Sequence, residues 1–162
     1  MGLSQEQRKY SEEITKINDS VYITGIVGVT ENSIPDDVDR VITVCQDHTI
    51  ENVSCAYEWY KMKDGGSGYG GDDSYELFEQ AAHSMLSAIQ NGETILIHCH
   101  VGRSRSVSVA IAAMATDLFE NMSAIPQTAY DVIYGIIHEK RGFVRPKITL
   151  KDHAIRFISE NA

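Results

Sequence analysis

Positive charge is scarce in this sequence: 14 Lys and Arg face 23 Asp and Glu, a formal net charge of −9 over 162 residues. So acidic a chain has no general basic surface for nucleic acid or an anionic membrane, and any anion-binding site in it must be local. Cysteine is scarce too. Cys45, Cys55 and Cys99 are odd in number and irregular in spacing, which speaks against a secreted disulfide framework. Long apolar runs are missing: the stretch from Val107 to Met114 is broken by Ser108 and falls well short of the roughly 20 residues a membrane helix needs. Met1 to Asn18 is polar, with no apolar core of a secretory signal, and Glu6 stands where a myristoylation sequence has Ser or Thr. His48, His83, His138 and His153 are scattered without metal-ligand spacing. These absences lead us to expect a cytoplasmic, monomeric protein with no nucleic-acid partner and no membrane association.

What is present suits one domain over residues 1–162, with residues 1–13 a flexible or helical extension. Hydrophobic residues make up 43% of the chain, enough for a real core without staples. Val21-Tyr22-Ile23-Thr24 reads as a short strand ended by Gly25. The continuous apolar run Val41 to Cys45 has the pattern of a buried parallel strand, and Val53 to Met62 reads as another. Five of the ten residues from Asp64 to Asp73 are glycine, so this segment is expected to be a loop: either a tolerated surface insertion or a loop that moves over a site.

Leu77, Phe78, Ala81, Ala82, Met85, Leu86 and Ile89 fall on one face of a helix from Ser74 to Gln90, which Asn91-Gly92 stops. A strand, Thr94 to His98, a break at 99–105 and an alanine-rich buried helix, Ser106 to Phe119, follow. Pro126 opens a further helix, and Thr149-Leu150-Lys151-Asp152 resembles a capping box for the last one. The order predicts an α/β fold, a mostly parallel central sheet flanked by helices. In such sheets ligands bind at the carboxyl ends of strands, where the break at 99–105 lies.

That break carries the chemistry. Backbone amides ahead of a helix N-terminus form an anion site, Gly102 permits a turn that other residues resist, and Arg105 offers a planar fork for two phosphate oxygens. Cys99 adds a nucleophile, because the field that binds phosphate also favours thiolate over thiol. His98 can organise the loop backbone, and Ser106 can hydrogen-bond the sulfur. Cys-x5-Arg alone is a weak signal. The preceding His, Gly at the third position and Ser on both sides of Arg105 make it specific. The bland alternative for Cys99 is a buried structural thiol.

At these residues the sequence resembles the dual-specificity phosphatases of the protein tyrosine phosphatase superfamily. His98-Cys99-His100-Val101-Gly102-Arg103-Ser104-Arg105-Ser106 matches the pattern His-Cys-x-x-Gly-x-Ser-Arg-Ser, and the likeness extends loosely over roughly residues 14–160. The resemblance implies a two-step, metal-free and cofactor-free hydrolysis of phosphoprotein substrates. Cys99 takes the phosphoryl group, residues His100 to Arg105 bind it, and Ser106 assists the sulfur. It also implies an aspartate as general acid. Asp64 fits best, because Tyr60 to Asp64 looks like the family's strand running into that residue; Asp72 and Asp73 are rivals. No tyrosine-bearing recognition segment is evident, which favours a shallow site accepting phosphotyrosine, phosphoserine and phosphothreonine. Other substrate classes under this reading are phosphoinositides and RNA 5′ phosphates, and a phosphate-binding pseudoenzyme is the non-enzymatic alternative. Where the family often has Pro-Asn, this chain has Pro146-Lys147, which puts the loop support from that asparagine in question.

The remaining candidates have bland readings. Arg103 and His100 either contact a second acidic group of a substrate or face solvent. Cys45 and Cys55 are expected in the core, with a reversible disulfide to Cys99 as the alternative. Trp59 is expected to pack. Lys140, Arg141, Arg145 and Lys147 read as a solvated basic turn, with a docking patch for an acidic substrate as the alternative.

Overall fold

The apolar runs assemble into a five-stranded sheet in the computed structural model, which describes residues 2–46, 53–63 and 74–162. In chain order the strands are Thr15–Lys16 (β1), Val21–Thr24 (β2), Arg40–Thr43 (β3), Ala56–Trp59 (β4) and Ile95–His98 (β5). Their spatial order is β1-β2-β5-β3-β4, with only β1 antiparallel to its neighbour. Both faces are covered, so β2 and β5 are buried at every position, as a parallel sheet demands. Alternation still sorts the side chains. Ile23, Ile42, Ile95 and Ile97 enter the larger core, while Tyr22, Val41 and Leu96 enter a smaller one on the opposite face.

The helices are Gln5–Glu12 (α1), Ile26–Glu31 (α2), Tyr75–Gln90 (α3), Arg105–Leu118 (α4), Pro126–Lys140 (α5) and Ile148–Asn161 (α6). Every residue of α4 from Ser106 to Thr116 is buried. It packs against α3, α5, α6, β2 and β5, and its alanines allow that close approach on all sides. The helices α1 and α2 lie against each other and against β2. Since β5 sits between β2 and β3 and α4 runs through the larger core, the loop joining β5 to α4 is anchored at both ends in the most buried part of the molecule.

Several sequence expectations need correction. No Thr149–Asp152 capping box opens α6. The helix starts at Ile148 after an extended Lys147, whose ammonium offers no acceptor for a side-chain cap and whose N–H is held by Ser104 Oγ at 2.9 Å. Within the apolar runs 41–45 and 53–62, regular pairing covers Arg40–Thr43 and Ala56–Trp59. The strand β2 leads through Gly25 directly into α2, which the sequence pattern did not announce. Of the two alternatives for the amino-terminal segment the helical one describes Gln5–Glu12: α1 opens on a reciprocal Ser4–Gln7 capping box and is tied into the protein through Ser11. Trp59 is partly exposed on the edge strand and donates its indole N–H to Cys45 O at 2.8 Å. Cys45 is buried, whereas Cys55 is only half-buried against the smaller core. Among the described residues no helix is long and apolar enough to cross a membrane.

Candidate active site

The loop from His98 to Arg105 is held from behind through its carbonyl groups. His98 O accepts from Val44 N–H at 2.9 Å, as β5 and β3 part. Cys99 O accepts from His98 Nδ1 at 3.0 Å. A carbonyl can only accept, so Nδ1 carries the proton, and Thr43 Oγ1 meets the other ring nitrogen at 2.6 Å. His100 O accepts from Ile26 N–H at 2.9 Å and from the Ser11 hydroxyl at 2.7 Å. Val101 O and Gly102 O accept from Arg141, Arg103 O from Arg145 N–H at 2.7 Å, and Ser104 O from Ser108 N–H at 2.8 Å. With every carbonyl engaged on the far side, the N–H groups of Val101, Arg103, Ser104 and Arg105 have no acceptor among the described residues.

Cys99 Sγ lies at the centre, buried, accepting the Gly102 N–H at 3.3 Å and sitting 3.3 Å from Ser106 Oγ in the first turn of α4. Gly102 has φ +79°, a conformation that disfavours a side chain. The space is also taken: a Cβ there would lie 2.5 Å from Arg141 Nη2 and 2.6 Å from Thr24 O. Gly25 is needed for closeness alone, since a Cβ would lie 2.3 Å from Ser11 Oγ and 2.7 Å from His100 O.

Of the basic run read as a solvated turn, Lys140, Arg145 and Lys147 are exposed, but Arg141 is not. It is 0% exposed. Its guanidinium donates to Gly102 O at 2.8 Å, Val101 O at 3.3 Å, Tyr10 O at 2.9 Å, Glu13 O at 2.7 Å and Thr15 Oγ1 at 2.6 Å. Burial pushes its pKa down to about 10, against the opposing pull of Glu13 and Cys99, so it remains charged at neutral pH. Through this one side chain the residues at 10–15 and the loop at 101–102 share a support.

Arg105 reaches Met62 O with Nη1 at 3.2 Å, just short of the segment that begins at Asp64. Its Nε–H is buried and has no partner among the described residues. In front of the loop opens a cleft of about 490 Å³ lined by Cys99, Val101, Arg103, Ser104, Arg105, Arg145, Pro146, Lys147, Ile148 and Gln7. Among the described residues that line it, four are cationic and none is a carboxylate. Of the predicted loop residues, His100 and Gly102 do not line the cleft, and His98 is wholly buried beneath it. Asp64, Asp72 and Asp73, with the glycine-rich segment, lie outside the described residues. The question over Pro146-Lys147 has a structural answer: Lys147 supports the loop through its backbone N–H on Ser104 Oγ, a bond no side-chain type reveals. Ser11, Gly25 and Arg141 are the supporting residues that sequence reasoning missed, and nothing in their local pattern signals the role.

The model of the family described as "Dual specificity phosphatase, catalytic domain" matches residues 15–158. No curated protein sequence matches the chain significantly. Solved structures similar to it include a human tyrosine phosphatase-like serine/threonine/tyrosine-interacting protein. The TM-score is 0.71 at 14% identity, covering 92% of this chain and 97% of that one. A mouse putative dual specificity phosphatase complexed with zinc tungstate has a TM-score of 0.71 at 15% identity, with coverage of 99% and 93%. The Yvh1 phosphatase domain from Chaetomium thermophilum has a TM-score of 0.69 at 18% identity, with coverage of 91% and 96%. At these identities the likeness establishes the fold.

Proposed function

The chain belongs to the dual-specificity phosphatase family, and on that premise we propose that it removes phosphate from phosphotyrosine, phosphoserine and phosphothreonine of proteins through a phosphocysteine on Cys99. One observation carries the reading. The loop's carbonyls are all engaged behind it, while among the described residues four amides and the buried Arg105 Nε–H have no acceptor. A buried donor such as the Arg105 Nε–H is costly to leave unpaired, and a tetrahedral dianion in the cleft would offer acceptors to it and to the loop amides.

In this proposal Cys99 Sγ attacks phosphorus in line as the ester P–O bond breaks. The departing oxygen takes a proton from an aspartic acid, assigned to Asp64 with Asp72 and Asp73 as rivals. The loop amides and Arg105 hold the equatorial oxygens as charge shifts. Water then attacks the phosphocysteine, the same aspartate accepts its proton, and inorganic phosphate leaves. In that second step the Ser106 hydroxyl, 3.3 Å from Sγ, donates to the departing thiolate. No metal or cofactor enters these steps. The tungstate named for the mouse relative is a tetrahedral oxyanion of phosphate's shape, which agrees with an anion cradle in this fold.

The test is turnover of para-nitrophenyl phosphate by the wild type and by Cys99→Ser, followed by a panel of phosphopeptides, phosphoinositides and triphosphorylated RNA. Hydrolysis abolished by Cys99→Ser and fastest on phosphopeptides is expected. Vanadate binding without any turnover would instead make the protein a phosphate-binding pseudoenzyme.

A further inference from the structure

The apolar side chains left exposed on this chain are gathered mostly in one stretch. Among the described residues seven large hydrophobics are exposed, and five of them, Leu118, Met122, Ile125, Val132 and Ile136, fall within residues 118–136. Ile125, Val132 and Ile136 recur at i, i+7 and i+11, which puts them on one face of α5, beside the buried face of Ala129, Ile133 and Ile137. Gly135 lies in the same stripe, exposed, and a Cβ there would meet nothing within 4 Å. The protein's own packing therefore does not require it, and a glycine inside a helix costs about 1 kcal/mol against alanine. None of these residues lines the cleft in front of Cys99. Carboxylates edge the stripe. Glu120, Asp131 and Glu139 are exposed, and none is in an ion pair among the described residues, although six such pairs form elsewhere. Glu120 and Asp131 accept from neutral amides, those of Gln90 and Gln127. Lys140, at the last position of α5, is the sole Lys or Arg of that helix.

We propose that this stripe docks an amphipathic helical segment of another protein, with apolar residues at i, i+3 or i+4 and i+7 and with Lys or Arg flanking them. A ridge of helical period accepts a facing helix, and the notch at Gly135 admits a large apolar side chain between Val132 and Ile136. Charge selects the occupant. A second copy of this chain brings a net charge of −9 and sets the same carboxylates against one another across a two-fold axis. Segments 47–52 and 64–73 of the chain itself, outside the described residues, hold Asp47, Glu51, Asp64, Asp72 and Asp73 and no Lys or Arg. An anionic membrane is repelled by the same charge. Because the stripe is apart from the cleft, an occupied stripe leaves the cleft open. On the phosphatase reading above, a docked partner presents its phosphorylated residues to Cys99 at raised local concentration; docking itself does not depend on that reading.

The probe is a fluorescein-labelled peptide of about 18 residues, five turns of helix, with leucines at helical spacing and lysine and arginine beside them. Its binding to the full chain is followed by fluorescence anisotropy at low ionic strength. The controls are a scrambled peptide of the same composition and one with glutamate for each lysine and arginine. Both controls are expected to bind about 10-fold more weakly or worse, and added salt to weaken the basic peptide. Val132→Lys with Ile136→Lys is expected to raise its Kd about 10-fold or more, since apolar anchors at the centre of an interface carry most of its energy. Asp131→Lys with Glu139→Lys is expected to raise Kd about 5-fold and to remove most of the salt dependence. Both double variants alter exposed positions and are expected to turn over para-nitrophenyl phosphate like the wild type.

Equal binding of the scrambled or the acidic peptide, or a Kd unchanged in Val132→Lys with Ile136→Lys, overturns the docking surface. A wild-type dimer in sedimentation equilibrium that this variant dissolves gives the stripe to a second copy. Flotation with phosphatidylcholine–phosphatidylserine vesicles that the variant abolishes gives it to a membrane. Either result overturns the partner class. Absent turnover of para-nitrophenyl phosphate overturns the phosphatase reading alone, because anisotropy reads docking without catalysis.

Discussion

Replacing Arg141 by methionine tests the claim that the phosphate loop is shaped from behind. Methionine keeps the length and removes the fork. Four carbonyls, those of Tyr10, Glu13, Val101 and Gly102, then lose a donor, as does Thr15 Oγ1. An unsatisfied buried acceptor costs about 1–3 kcal/mol. The full sum overstates the loss, because the variant no longer buries a cation whose desolvation already lowers its pKa. With that relief subtracted, a net cost of about 3–5 kcal/mol is expected, at the upper end for a single substitution. That is a fifth or more of the stability of an ordinary domain, about 5–15 kcal/mol.

Urea unfolding followed by the fluorescence of the single Trp59 measures the change. Turnover of para-nitrophenyl phosphate at low temperature, where the variant stays folded, reads the loop. A loss of about 10²-fold in kcat is expected, since small misplacements of positioning groups cost that much. Arg141→Lys keeps the charge but cannot reach both the 10–15 segment and the loop, so it should fall between. If Arg141→Met unfolds within about 1 kcal/mol of the wild type and turns over normally, the loop does not depend on this support.

Further expectations concern the same frame. Gly102→Ala forces a side chain into φ +79° and to within 2.6 Å of Thr24 O. It should cost about 1–3 kcal/mol by chemical denaturation and depress kcat, whereas a silent substitution would show that the loop relaxes freely. Ser11→Ala removes both the donor to His100 O and the acceptor of Val27 N–H. A loss of about 1–2 kcal/mol should appear in the same assay. At the sheet edge, burial raises the Glu58 pKa, but bonds from Ser84, Tyr60 and Arg40 outweigh it and hold the carboxyl below its ordinary value. Burial and the bond to Glu58 push Tyr60 up to about 12. The Glu58 contribution is therefore complete above pH 4.5 and lost as pH falls through the depressed value; the Tyr60 contribution is complete below pH 10 and lost as pH rises through about 12. Melting scans of Glu58→Gln and Tyr60→Phe should flatten the acidic and alkaline limbs respectively. A general acid must hold its proton to act, so the activity it supports falls as pH rises through its pKa. Asp64→Asn should lower kcat and flatten that alkaline limb; if Asp72→Asn does so instead, the assignment moves.

The sequence alone determined the strand, loop and helix around Cys99, because each is written in contiguous residues. A buried apolar run, a glycine at the turn and an alanine-rich helix mark these elements in contiguous residues, although the loop keeps its shape through Arg141 and other groups behind it. The apolar face of α3 and the proline start of α5 were legible for the same reason. Only the tertiary structure decided what stands behind and beside that loop. Arg141 looked like one cation in a basic turn, yet it ends fully buried between residues 10–15 and 101–102, from which it is separated by 39 to 131 positions. Ser11, Gly25, Arg145 and Lys147 likewise acquire their roles from neighbours remote in the chain. Periodicity and propensity report which face a residue turns inward. Which carbonyl it then meets, and whether its charge ends in water or in a cleft, depends on the path of the backbone through space.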